Sequence, residues 1–466
     1  MTVDDPTLRA SGVLDLDGEE MRRLGYSVVD AVVEHFEHGR ERPAIRTGDA
    51  QELRAALGAG PAPEEPSDPQ ACIQALLDTA LTHMQHGDHP RYFARVPGPS
   101  SFVGVLGDWL ATGFNTLVTS WAGSSGPATV ELVALDWLRQ LLGLPEETEG
   151  VLVSGGSMAN LTALAAARHD GGPGVVYMSD QAHASIARGL SALGFPADHV
   201  VVLPSDPGFR LDPDAVRAAV ERDRAAGRRP GFVVASAGTT NTGAVDPLGP
   251  LADLCSEQDM WLHVDGAYGA PAALCPAGRA ALKGLPRADS LVLDPHKWLF
   301  QPYDSGCVFV RRPGALARAF TMDPEYLVDT RGRGGEVDFR DRTLELSRRG
   351  RALKLWLTLR TYGAARLRSA IARGIELAEY AEGLIRSDER WDIVTPAQLA
   401  VVTFARRGAD PGHAARAAAE LTCDGYAAVS STTLKGRSAL RLCTINPRTT
   451  EPEIAATLER LAAAGC

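Results

Sequence analysis

The sequence predicts an α/β fold: a mostly parallel, seven-stranded sheet with a helical N-terminal arm before it and a small α+β unit after it. Two patterns predict this. From about residue 150 to 315, short apolar strands alternate with helices. Near-continuously apolar strands in such an alternation belong to a parallel sheet covered on both faces. The flanks lack that alternation. The chain divides accordingly into an arm (1–85), a large domain (86–352) and a small domain (353–466).

In the arm, Met21–Phe36 is predicted helical, with Leu24, Val28, Val29, Val32, Val33 and Phe36 at helical spacing. His35 and His38, beside Glu34 and Glu37, read as a solvated helix face, since no third metal ligand is in view. Gly58–Pro69 is rich in Pro, Gly and acid and reads as a linker. An amphipathic arm without its own core is expected to pack on another surface, such as a second subunit. Pro69–His86 is predicted as one helix. His83, His86 and His89 have ligand-like spacing, but the Gly87-Asp88 break and Pro90 argue against a shared face, so no metal is expected. Tyr92, Phe93 and Pro97 lie in a Gly/Pro-rich loop that either walls an apolar pocket or packs as an ordinary loop. Helices follow at Phe102–Phe114 and Ala128–Leu144.

Strands are then predicted at Gly150–Ser154, Gly174–Met178, Val200–Leu203, Gly231–Ser236, Trp261–Val264, Ser290–Leu293 and Ser305–Arg311. Four helices, Ala159–Arg168, Ala184–Leu193, Asp212–Ala226 and Leu248–Gln258, fall between the first five. Thr321–Val337 is irregular and Gly/Arg-rich, and reads as a mobile lid or a disordered tip. The tail is predicted as helices Leu344–Tyr362 and Ala365–Arg386, strand Asp392–Phe404, helix Pro411–Asp424, strand Ser438–Thr444 and helix Pro452–Ala464.

Composition narrows the function classes. A net charge of −11 argues against nucleic acid or an anionic membrane as partner. No apolar run approaches the roughly 20 residues of a membrane-spanning helix. Seven cysteines without a C-x-x-C pair fit a reduced, cytoplasmic protein better than a disulfide scaffold or a zinc site. Met1–Pro6 is too acidic and polar for a signal peptide.

Ligands of open α/β sheets bind at the carboxyl ends of strands, so those residues carry the chemistry. The first strand runs into Gly155-Gly156-Ser157 and a helix, a place where backbone amides and a hydroxyl favour an anion. The second ends near His183, a flat imidazole. The fourth ends at Ala237-Gly-Thr-Thr240, which offers hydroxyls. The fifth ends at Asp265, a carboxylate that needs cationic or donor partners. Asp294-Pro-His-Lys297 follows the sixth, with Trp298-Leu-Phe300 behind it. Burial there is expected to lower the Lys297 pKa and leave a nucleophilic amine. An anion site, an imidazole, a carboxylate and an amine at one sheet edge suit pyridoxal 5'-phosphate.

The chain resembles the group II pyridoxal-dependent amino-acid decarboxylases, the aromatic-L-amino-acid, glutamate and diaminobutyrate decarboxylase kin. Asp294-Pro-His-Lys-Trp298 looks like their N/D-P-H-K-W signature, and His263-Val-Asp-Gly-Ala-Tyr268 like their H-V-D-A-A-Y. Ser154-Gly-Gly-Ser-Met-Ala-Asn160, His89-Pro-Arg-Tyr-Phe93 and Ser347-Arg-Arg-Gly-Arg-Ala-Leu-Lys354 match further segments. The resemblance implies a fold-type I homodimer with the active site at the subunit interface. It also implies that Lys297 forms the Schiff base, Asp265 pairs with the pyridinium and His183 stacks on the ring. Gly156, Ser157 and His296 would hold phosphate, Thr239 and Ala267 would line the ring, and Tyr92, Phe93 and Pro97 would shape the substrate pocket.

One departure bears on the reaction. Aligned on Ser347-Arg-Arg349, Phe339 stands where the family's mobile loop carries a catalytic tyrosine, and a phenyl ring cannot donate a proton. The reading is decarboxylation of an L-amino acid, aromatic favoured, to the amine and CO2. Phe339 keeps open an O2-dependent oxidative deamination to the aldehyde. The lid and Leu344–Arg349 keep open a diaminobutyrate-type enzyme, and a non-catalytic binding protein on the same fold is the reading from another class.

Overall fold

The structure, a computed structural model, describes residues 14–322, 324–330 and 334–464. Arg331–Arg333 of the Gly/Arg-rich segment lie outside the described residues.

The seven strands are β1 (Glu149–Val153), β2 (Val175–Ser179), β3 (Val200–Leu203), β4 (Pro230–Ser236), β5 (Trp261–Asp265), β6 (Ser290–Leu293) and β7 (Gly306–Val310). They are ordered β1-β7-β6-β5-β4-β2-β3. Only β7 is antiparallel to its neighbours, β1 and β6. β2, β4, β5, β6 and β7 are buried throughout, as their apolar sequences require. Crossover helices Gly156–Gly171, Ala184–Ala192, Pro213–Ala225 and Leu248–Glu257 cover the sheet. Observed bounds fall within a few residues of those expected from the sequence.

The tail folds around a second, antiparallel sheet of β8 (Trp391–Gln398), β9 (Val401–Arg406), β10 (Ser430–Leu434) and β11 (Arg437–Cys443), ordered β10-β11-β9-β8. The expected strand Asp392–Phe404 is in fact the β8–β9 hairpin. Its turn is made by Leu399 and Ala400, both with positive φ (42° and 64°), a conformation that apolar residues do not advertise. β10 escaped sequence reading because Ser-Ser-Thr-Thr lacks an apolar rhythm.

Two expected helices are shorter than their periodicity implies. Pro69–His86 is helical only to Ala75 and then widens into a π turn at Leu76–Ala80. The helix expected from Leu344 begins at Ala352 and runs to Ser387, broken by Gly363 at φ 72°. Residues before Ala352 are held out of the helix by a buried ion pair. Arg348 donates to Glu131 Oε1 and to the Leu152 carbonyl, both at 2.6 Å, and to the Val118 carbonyl at 2.8 Å. Both side chains are fully buried. This pair ties β1 to the segment before the long helix.

Candidate active site

A cavity of about 300 Å³ opens at the carboxyl ends of β1, β2, β4, β5 and β6. Each strand stops being apolar there, and the residue that ends the run faces the space. The lining includes Gly156, Ser157, His183, Thr239, Asp265, Ala267, His296 and Lys297.

The β1 turn is glycine because two elements close on it. A Cβ on Gly156 would lie 2.8 Å from Asp294 Oδ2 and 3.1 Å from Ala267 Cβ, and one on Gly155 would lie 3.1 Å from the His296 ring. The helix Gly156–Gly171 therefore starts directly against the residues after β6. Gly155, its N-cap, supplies no side-chain hydrogen bond. Ser157 sits in the first turn, exposed. Free first-turn amides at such a start attract an anion.

Asp265, 8% exposed, is oriented by two donors, Asn160 Nδ2 at 3.0 Å and the Ala267 amide at 3.1 Å. Asn160 is the hub of a directional network. Asn160 Oδ1 can only accept, which puts the His263 proton on Nε2, so the Ser290 hydroxyl, itself accepting from Trp261 Nε1–H (2.8 Å), donates to His263 Nδ1 (2.8 Å). His263 Nε2–H thus donates to Asn160 Oδ1 at 3.0 Å. Burial holds the His263 pKa well below its ordinary value, the Asp265 charge opposing, so the ring is neutral. The second Asn160 N–H reaches Ser185 Oγ (2.9 Å), whose hydroxyl is 2.8 Å from His183 Nδ1. The Ser185 amide donates to His183 Nδ1 at 3.3 Å, so Nδ1 is the acceptor and the ring carries its proton on Nε2.

Lys297 Nζ pairs with Asp294 Oδ2 at 2.8 Å. Burial pulls the Lys297 pKa down, but the Asp294 carboxylate, with Asp265 beyond it, more than offsets this and raises it. The expectation of a lowered lysine pKa is therefore wrong for this structure: the side chain is mostly buried, at 22% exposure, but it lies against a carboxylate. Asp294 is 1% exposed and its Oδ1 has no hydrogen-bond partner. His296 Nδ1 accepts from the Ser305 amide at 3.1 Å, and Nε2 lies 3.5 Å from Asp294 Oδ2. Burial, with the Lys297 charge, lowers the His296 pKa and keeps the ring neutral.

Other expected residues lie elsewhere or face away. Thr239 borders the cavity, but its hydroxyl is 2.8 Å from that of Thr242, inside its own turn. Tyr92, Phe93 and Pro97 do not line the cavity of their own chain. Phe93 is fully buried in the small-domain core, and Tyr92 packs on Ala428 with its hydroxyl on Gln85 Oε1 at 2.9 Å. Pro97 is buried as well. The Tyr92 and Phe93 rings serve the contact between the loop and the small domain. Phe339 is also absent from this lining: its ring is 1% exposed, in the core, 4.9 Å from the Arg348 guanidinium. Sequence reasoning missed Asn160, His263, Ser185 and Asp294 as working residues, although all but Ser185 fall inside the quoted motifs. It also missed Tyr303, 57% exposed, whose ring lies 4.6 Å from that of His296.

The residues fit pyridoxal phosphate: a glycine-lined cradle at a helix start, a lysine at its edge and a donor-held carboxylate. Comparison with known proteins agrees. Residues 53–407 match the pyridoxal-dependent decarboxylase conserved domain. The chain is 45% identical to an aromatic-L-amino-acid decarboxylase of Bacillus atrophaeus, over 95% of this chain and 94% of that one. It is 34% identical to a phenylacetaldehyde synthase of Petunia hybrida, covering 84% and 80%. The structure of Oryza sativa TDC with PLP and tryptamine superimposes with a TM-score of 0.90 at 30% identity, covering 96% and 97%.

Proposed function

The chain belongs to the pyridoxal-dependent decarboxylases, a carboxy-lyase family using pyridoxal phosphate, and on that premise we propose that it converts an aromatic L-amino acid to its amine and CO2. The observation that carries this reading is that Lys297 and Asp265, at the ends of adjacent strands β6 and β5, face one cavity. The aromatic preference is supported by the 45% identical relative.

When bound, the cofactor supplies a carbonyl that condenses with amines and a ring that accepts the electrons left by departing CO2. Lys297 is the amine that holds it. Its nitrogen must first give up a proton, and the Asp294 carboxylate, 2.8 Å away, holds that proton on it. The start of helix Gly156–Gly171 and the Ser157 hydroxyl receive the phosphate. Asp265, fixed by Asn160, keeps a positive ring nitrogen protonated beside its charge. With the cofactor bound, His183 Nε2 and Lys297 Nζ, both at the cavity, would be the groups placed to return a proton, whereas Phe339 carries none and lies outside the lining.

The active unit is a homodimer with this cavity at its interface. In support, helix Phe102–Gly113 and the residues after it expose Trp109, Leu110, Phe114 and Leu117 at 45–79%. A monomer rarely leaves so much contiguous apolar surface in water. The protein acts in the cytoplasm, a reading supported by its free described cysteines. No described helix is long and apolar enough to cross a membrane.

The 34% identical aldehyde synthase supports a second reading, in which O2 takes the electrons and the aldehyde is released. The substrate class is tested by CO2 release from a panel of L-amino acids. Tryptophan, tyrosine, phenylalanine or DOPA should exceed glutamate and 2,4-diaminobutyrate by roughly 100-fold in kcat/KM. Preference for either of the latter two would overturn the reading.

A further inference from the structure

Neither histidine segment of the N-terminal third, taken alone, has the spacing of a metal site. The fold brings one histidine from each onto a single carboxylate. His35 projects from helix Gly18–His38, and His86 and Asp88 come from the loop before Pro90. Their candidate ligand atoms all lie within 4.8 Å of one another. His35 Nε2 is 2.8 Å from Asp88 Oδ2, and the His35 and His86 ring centroids are 5.7 Å apart. In a tetrahedral Zn²⁺ site with bonds of about 2.0–2.1 Å, neighbouring ligand atoms sit roughly 3.4 Å apart. Side-chain rotations of about 1.5 Å reach that spacing.

Three features of the surroundings favour an ion here. The three residues border a cavity of about 250 Å³, room for an ion and the water that completes its shell. Arg40 and Arg42 at the rim are already engaged, with Glu453 and Glu34, while Arg448 donates to the Asp88 carbonyl and lies 3.7 Å from Asp88 Oδ2, a longer contact that a bound ion would replace. His89, 3% exposed and lining the same cavity, accepts the Arg91 amide at Nδ1 and leaves a buried Nε2 without a partner. A buried polar atom of that kind calls for a polar guest, and a metal-bound water is one.

We propose that His35, His86 and Asp88 bind one divalent transition-metal ion of the Zn²⁺ class, which fastens the N-terminal helix to the body of the protein. Two imidazoles and a carboxylate are borderline-hard donors that suit Zn²⁺, Co²⁺ or Ni²⁺ and discriminate against Ca²⁺ and Mg²⁺. Asp88 is braced for this by Asn446, whose Nδ2 donates to its carbonyl at 2.8 Å.

The test is calorimetric titration of chelator-treated, cofactor-loaded, full-length protein with ZnCl2, repeated with CoCl2 while following visible absorption. Wild type and His38→Ala should each take up one ion per chain in a saturable step, with a tetrahedral-type Co²⁺ spectrum. His35→Ala, a change on a half-exposed helix face that leaves the fold intact, should weaken binding at least roughly 100-fold. His86→Asn should do the same. Equal binding by wild type and His35→Ala, or no saturable binding by wild type, would overturn the proposal.

Discussion

Lys297 and Asp294, three residues apart at the end of β6, form an ion pair with Nζ 2.8 Å from Oδ2. The pair explains how a lysine is tolerated beside Trp298 and Phe300, and why its pKa is raised rather than lowered. Asp294→Asn keeps the shape and removes the charge. The Lys297 pKa should fall, and cofactor capture by the apoprotein at pH 7 should quicken, because more of the amine is then free. The pH midpoint of capture, followed by absorbance, should move down. A slower capture with an unmoved midpoint would refute the role given to Asp294.

Asn160 holds Asp265 directly and His183 through Ser185. Asn160→Ala should lower kcat/KM roughly 10- to 100-fold, the usual cost of losing an orienting partner. Cofactor affinity, measured by equilibrium dialysis, should fall with it. Asn160→Ser should recover part of both.

Phe339 packs against Arg348 inside the core. Phe339→Tyr buries a hydroxyl without an obvious partner and should cost about 1–3 kcal/mol in urea denaturation. The ratio of amine to aldehyde should stay unchanged. A shift of product toward amine would mean that this segment leaves the core to act on a substrate.

His263 is neutral and fully buried, its pKa held below the ordinary value by burial. Below about pH 6.5 the unfolded chain takes up a proton that the folded chain refuses. Stability is therefore lost as pH falls through that range, by at most about 1.4 kcal/mol per pH unit from this group. His263→Gln should lower stability at pH 7 yet flatten its decline between pH 7 and 5, as read from urea midpoints.

Much of the large domain was legible because buried parallel strands are apolar runs that end abruptly. Val292-Leu293 gives way to Asp294, and Val264 to Asp265, so the strand ends bearing Lys297 and Asp265 stand out. What surrounds them was not legible. Asn160 looks like any polar residue on a helix, and only the third dimension sets it between His263, Asp265 and Ser185. Tyr92 and Phe93 were read as pocket walls because an aromatic loop residue gives no sign of which core it joins. The Arg348–Glu131 pair joins positions 217 apart in the chain, beyond any local pattern. The β8–β9 turn and the polar strand β10 broke the periodicity on which strand reading depends.

The central claim is tested most directly by one experiment: incubating the cofactor-loaded protein with an aromatic L-amino acid in air. CO2, amine, aldehyde and peroxide are measured together, with Lys297→Ala in parallel. The account predicts amine equal to CO2, no peroxide, and loss of all products in Lys297→Ala. Absence of CO2, or aldehyde and peroxide rising in step with it, would contradict the account.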